Sequence, residues 1–226
     1  MIQLLTNERA FVGTKERKVR EKEQRKETIL SAAVQIIAEK GFECATMEDI
    51  AAGSELSKGT LYLYFEDKSS LFRAIKTEAH DQIRSIFLEI IQQDLPGLEM
   101  VTEMGRAFIE FIRTHPVHTQ SMMLLPHTTD EKEHFDKGRE LMVLITHAIQ
   151  IGIQDGSIRK AVNPKLLSIQ VGWGLFGILQ YYMNESDPVY DEILKENNTT
   201  IKKLTKDYIT VLLANIKADN KTTKTS

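Results

Sequence analysis

The chain has 226 residues, 42% of them hydrophobic and 27% charged, with a formal net charge of -3 from 29 basic and 32 acidic side chains. That composition supports a real core and excludes wholesale disorder; the acidic balance excludes a uniformly basic nucleic-acid binder but leaves room for a local basic face. The one cysteine, Cys44, rules out an internal disulfide and a multi-cysteine metal site, and suits a reducing cytoplasm.

Residues 1–11 lack a basic segment followed by an apolar run, so no secretory signal is expected. The most apolar stretch, residues 171–183, is shorter than the roughly 20 residues of a membrane-spanning helix and carries Gln180. The first 14 residues and the polar tail at 218–226 are expected to be disordered. Between 15 and 26 stand Lys15, Arg17, Lys18, Arg20, Lys22, Arg25 and Lys26 against Glu16, Glu21 and Glu23, a local charge of +4. Residues 1–24 therefore read as a flexible basic arm directed at DNA, or, more plainly, as a solvated helix extension held by i,i+4 pairs.

Helical periodicity begins near residue 26. Ile29, Ala33, Ile36 and Ile37 form one apolar face to residue 40, and Gly41 closes the helix. Short helices are expected at 47–53 and 58–65. A long one at 68–93 has the face Leu71, Phe72, Ile75, Ala79, Ile83, Ile86, Phe87 and Ile90. It would be roughly 39 Å long, more than a small domain needs, so it should bridge two packed units. After Pro96-Gly97 come helices at 98–114, 117–125 and 130–154, and then a turn at Asp155-Gly156-Ser157. Asn163-Pro164 and Asp187-Pro188 open the last two, at 164–183 and 188–217. None of the five prolines interrupts a periodic segment, and no run alternates as a strand does. The fold class is all-α.

Residues 46–65 read TMEDIAAGSELSKGTLYLYF. Thr46 with Asp49 resembles a capping box, and Ser57 is a second N-cap. Two helices this short must pack on their neighbours to be stable, as in a helix-turn-helix whose second helix enters the major groove by its first turn. Lys58 suits guanine or phosphate, Thr60 a base edge or thymine methyl, and Gly59 removes bulk where the helix meets DNA. Tyr62 and Tyr64 suit phosphates, and Lys68 at a helix start suits a phosphate as well.

These residues, with the following DKSSLF, resemble the DNA-binding domain of the TetR family of transcriptional regulators over about residues 25–75. The resemblance implies an all-α homodimer of about nine helices per subunit: a three-helix helix-turn-helix domain at 25–75, joined by a long helix to an effector-binding and dimerisation domain at 76–217. It implies a ligand-responsive regulator, a repressor released from a palindromic operator by a small, largely apolar effector. The positions it implies for DNA contact are Thr46, Ser57, Lys58, Gly59, Thr60, Tyr62, Tyr64 and Lys68. One departure stands in the turn: Ser54-Glu55-Leu56 replaces the usual Ala-Gly-Val, so Glu55 must take up the left-handed conformation or reshape the turn.

In the larger half, Met104, Phe108, Phe111, Met123 and Met142 suit an adaptable apolar pocket, as well as plain core. Trp173 and Phe176 are expected to close its wall, and His127 or His147 to hydrogen-bond the effector. His115, His118, His127, His134 and His147 have no recognisable ligand spacing, so no metal is expected, and no cofactor fingerprint is present. Cys44 is expected to be a small, semi-buried residue. Gly172, Gly174 and Gly177, with the stripe Ile193, Ile201, Leu204, Tyr208, Val211, Leu212 and Ile216, suggest dimerisation through the last two helices. An enzyme would need a nucleophile with a base or a phosphate loop, and neither is found. A DNA-independent helical adaptor could use the same stripes.

Overall fold

The computed structural model describes the backbone of residues 2–124, 131–183 and 188–218, and the side chains of these residues except 2–15, 123–124, 131–136, 179, 181–183 and 190. Among the described residues the chain forms α1 (Ile2–Lys40), α2 (Met47–Gly53), α3 (Lys58–Tyr62), α4 (Lys68–Ile91), α5 (Gly97–Thr114), α6 (Pro116–Leu124), α7 (Glu131–Asp155), α8 (Pro164–Met183), α9 (Pro188–Glu196) and α10 (Ile201–Ile216). It divides into two compact units, Met1–Ile75 and Lys76–Ser226.

In the first unit, Ile29, Ala33 and Ile37 on α1 join Ile50 of α2, Leu61 of α3 and Phe72 of α4 in a buried core. Gly41 stops α1 at φ +79, its N–H donating to the Ile37 carbonyl at 2.8 Å. The short helices are closed by their own neighbours. Thr46 Oγ1 accepts from the Asp49 N–H at 3.1 Å, and Asp49 Oδ2 accepts from the Thr46 N–H at 3.1 Å, a reciprocal capping box on α2. Ser57 Oγ accepts from the Thr60 N–H at 3.1 Å on α3. Asp67 Oδ1 accepts from the Ser70 N–H at 2.5 Å as α4 begins.

The second unit packs α5 on α7 and α7 on α8 around Ile83, Phe87, Met104, Phe111, Ile149 and Leu175. Gly97 of α5 lies so close to Gly152 of α7 that a Cβ there would overlap the α7 backbone. Asp155, at the end of α7, accepts from the Gly97 N–H at 2.7 Å and so caps α5 from 58 residues away. An isolated bridge between Ile158 and Lys217 ties the end of α10 to the turn after α7, with Arg159 N–H donating to the Ile216 carbonyl at 2.9 Å.

The helices depart from the sequence reading in several places. The first helix starts at Ile2 rather than near residue 26, so residues 2–25 are helical and not a flexible arm. The segment is rich in Lys, Arg, Glu and Gln, strong helix formers that give no apolar stripe to read. The helix α3 stops at Tyr62, short of Phe65. The last expected helix is two, because Asn198 turns left-handed at φ +46 and Thr200 caps a new start, its Oγ1 accepting from the Lys203 N–H at 3.2 Å. Gly172 and Gly174 make room within the chain for the side chains of Met142 and Tyr208 respectively. Of the expected tail at 218–226, Ala218 is described, its N–H donating to the Ser157 carbonyl at 3.0 Å, and 219–226 lie outside the described residues.

Candidate nucleic-acid interface

The turn between α2 and α3 sets the aim of α3. Glu55 adopts φ +56, the left-handed conformation that glycine would take without cost. Its N–H donates to the Ala52 carbonyl at 3.1 Å and the Leu56 N–H to the Ala51 carbonyl at 2.9 Å. Buried Ser54 turns its hydroxyl back to the Ile50 carbonyl at 2.8 Å. The chain thus pays for the missing glycine in backbone strain and keeps the turn.

Leu61 and Phe65 are buried and anchor α3 from within. Ser57, Lys58, Gly59, Tyr62 and Leu63 are consequently on the outside. A Cβ on Gly59 would touch only Ser57 Oγ, at 3.9 Å, so the first turn of α3 presents open backbone. Thr60 is half-buried, and its hydroxyl bonds that of Ser57 at 2.8 Å. Tyr62 is 44% exposed and Leu63 81% exposed. This face carries a cation, a phenol and an apolar branch beside bare backbone, the donors and contacts that read base edges and thymine methyls.

Lys58 is not idle in the free chain. Its Nζ pairs with Glu48 of α2 and lies 5.9 Å from the centre of the Tyr62 ring. The hydrogen bond between them raises the pKa of Lys58 and lowers that of Glu48. On the far side of the capping box, Lys40 Nζ bonds Asp49 Oδ1 at 2.6 Å; together with the Thr46 bonds it draws the Asp49 carboxyl down to about 2.

Three expected contact residues have local duties. Thr46 spends its hydroxyl on Asp49. Tyr64 is half-buried. Lys68 folds back over the Phe42 ring, 4.5 Å from its centre, and donates to the carbonyls of Phe42 at 2.7 Å and Glu43 at 3.2 Å. In the free chain this lysine closes the loop after α1. Glu48 and Leu63 were missed by the sequence reading. No residue-type signal marks them; they emerge only when α2 and α3 are set side by side. Cys44 is exposed, not semi-buried.

In the second unit, Met104, Phe108 and Phe111 are buried together. Met142 rests on Gly172, His147 is exposed, and Trp173 and Phe176 are 75% and 52% exposed, so the structure does not gather these with the α5 residues. The side chain of Met123 and the whole of His127 lie outside the described residues. A polar island interrupts this apolar region: buried His118, Thr119 and Ser121 on α6. His118 Nε2 faces Glu78 Oε2 at 3.8 Å, an ion-pair distance rather than a hydrogen bond, and His118 holds the Glu78 carboxyl below its usual range. His115 stacks on Phe111 with ring centres 4.4 Å apart.

Residues 29–75, the helix-turn-helix and its supports, match the family of bacterial regulatory proteins of the tetR type. The helix-turn-helix unit is thus that of the TetR family of regulators. The chain is 28% identical over 150 residues to the uncharacterized HTH-type transcriptional regulator YhgD of Bacillus subtilis, covering 63% of this chain and 75% of that one. Its fold is that of solved regulators. The transcriptional regulator FadR from Bacillus subtilis, in complex with stearoyl-CoA, aligns with a TM-score of 0.59 at 18% identity, over 83% of this chain and 97% of that one. The SmeT–triclosan complex aligns at 0.64 and 19%, over 87% and 93%. No helix among the described residues is long and apolar enough to cross a membrane.

Proposed function

We propose that this regulator binds a palindromic operator as a homodimer and leaves it when a small, largely apolar effector occupies the second unit. The observation that carries the reading is the outward first turn of α3, where Lys58, Gly59 and Tyr62 stand exposed over a buried Leu61. Two such turns, one per subunit, read half-sites roughly 34–36 Å apart.

Dimerisation is assigned to α8 and α10. Leu166, Ile169, Trp173 and Phe176 recur at steps of three and four on the exposed face of α8, and Leu204 and Val211 stand exposed on α10. Large apolar residues at that spacing mark an interaction surface. Trp173 and Phe176 thus serve the partner in this reading, and Met104, Phe108, Phe111 and Met142 the effector. Met123, His127 and His147 are retained as further effector contacts. The ligands in the names of the FadR and SmeT structures, a fatty acyl thioester and a chlorinated phenol ether, suggest the class: an apolar body with a polar end. The reading places the protein in the cytoplasm and gives it no catalytic step.

The test begins with selection of operator DNA from the source genome by the full chain. Lys58→Ala and Tyr62→Ala should each weaken the selected complex while leaving the fold intact. Trp173→Glu should yield monomers that no longer hold the palindrome. Long-chain acyl-CoA and hydrophobic phenols should lower operator affinity, and operator should lower effector affinity by the same factor. Absence of any sequence-selected complex refutes the reading.

A further inference from the structure

Residues 16–28 of α1 are exposed on every side, yet the helix runs unbroken through them. They bury no apolar surface, and a helix without such support is marginal in water. Their charges are sorted. At about 100° per residue, Lys18, Lys22, Arg25 and Lys26 share one side of the helix. Glu16, Glu23 and Glu27 fall on the opposite side, with Arg20 as the one cation among them. Arg17 is taken by Glu21 at 3.3 Å, whereas among the described residues none of the four stripe cations has a carboxylate partner.

The direction of the stripe follows from the same rotation. The buried residues Ile29, Ala33 and Ile37, whose face packs on α2, lie on the same side as the four cations. The extension therefore turns four cations to the side on which the helix-turn-helix lies, and a net negative charge away.

We propose that this stripe is a phosphate clamp, by which α1 grips the DNA backbone flanking the base pairs under α3. It rests on the reading of α3 as the operator-binding helix. Charge complementarity favours DNA, and the stripe is continuous with the face that positions the recognition helices. The clamp adds affinity without reading sequence, and it gives the bare helix a surface to lie on.

The experiment uses the full chain carrying Lys18→Gln, Lys22→Gln, Arg25→Gln and Lys26→Gln together, and a control carrying Glu16→Gln, Glu23→Gln and Glu27→Gln. Glutamine keeps helix propensity, and circular dichroism checks it. Operator affinity is measured against salt on the selected duplex, with flanks of about ten base pairs and with the flanks removed. Each phosphate contact contributes about 0.9 to the slope of log K against log salt, so the four-fold variant should lose up to about 3–4 of slope on the flanked duplex. The control should keep its slope, and wild type and variant should converge on the trimmed duplex. An unchanged slope on flanked DNA overturns the clamp, as does an equal loss on trimmed DNA. So does loss of binding to anionic phospholipid vesicles in place of DNA. If Lys58→Ala abolishes selective binding while the slope ignores the stripe, the clamp alone fails. If wild type selects no DNA, the reading of α3 fails with it.

Discussion

In the first unit α2, α3 and the start of α4 are each closed by side chains a few residues away: Thr46 with Asp49, Ser57 with Thr60, Asp67 with Ser70. In the second unit, α5 begins at Pro96-Gly97 with no side-chain cap of its own, and Asp155 supplies it from another helix. The starts of α2, α3 and α4 are thus specified by neighbours in sequence, and the start of α5 by close approach of a distant segment. Small losses at many caps should trim the first unit. A single steric fault should damage the second.

The largest effect should come from Gly97→Ala. Its new Cβ meets α7 backbone, which cannot move aside as a side chain would, so the cost should reach about 3 kcal/mol. Urea unfolding followed by circular dichroism checks it, and a loss near zero would remove the contrast between the units. Thr46→Ala opens the capping box and should cost about 1 kcal/mol, read in the same titration. Glu55→Gly goes the other way. Relief of the left-handed backbone should gain up to about 1 kcal/mol, less the added freedom of the unfolded chain, or raise operator affinity. If both stay level or fall, the turn is not under strain.

The smaller effects are electrostatic. Asp49 carries a folded-state pKa near 2, below its ordinary value of 3.8, because Lys40 and Thr46 hold the carboxylate. Its stabilisation is complete above about pH 4 and lost as the pH falls through 2. Asp49→Asn should be less stable at neutral pH and should lack that part of the acid transition, which an acid titration of helix content would show. Glu48→Gln releases Lys58 and should raise operator affinity several-fold. Against a Lys58→Met background the same change should do little, so the double variant tests whether Glu48 acts through Lys58.

The same contrast decides what could be read from the sequence. The bounds of α2 and the start of α3 were legible because Thr46, Asp49, Ser57 and Gly59 act on their own neighbours. Lys58 and Tyr62 stand on the outer side of α3, as the sequence reading requires. The start of α1 was not legible, since charged helix formers carry no periodic stripe. The break at Asn198 was hidden because the apolar stripe resumes beyond it in a similar rhythm. On α8, apolar residues surround the helix, and periodicity could not say that Val171 and Leu175 turn inward while Trp173 and Phe176 turn out. Lys68 has the right residue type for a phosphate, and only the fold shows it bent onto the Phe42 carbonyl.

Cys44 is the sole thiol of the chain, and it stands in the open between α1 and α2. A maleimide dye would therefore attach at one defined point beside the recognition helices, with no engineered cysteine and no competing site. The unaltered protein thus carries a natural handle for fluorescence readings of its association with DNA, provided the thiol is kept from air oxidation during purification.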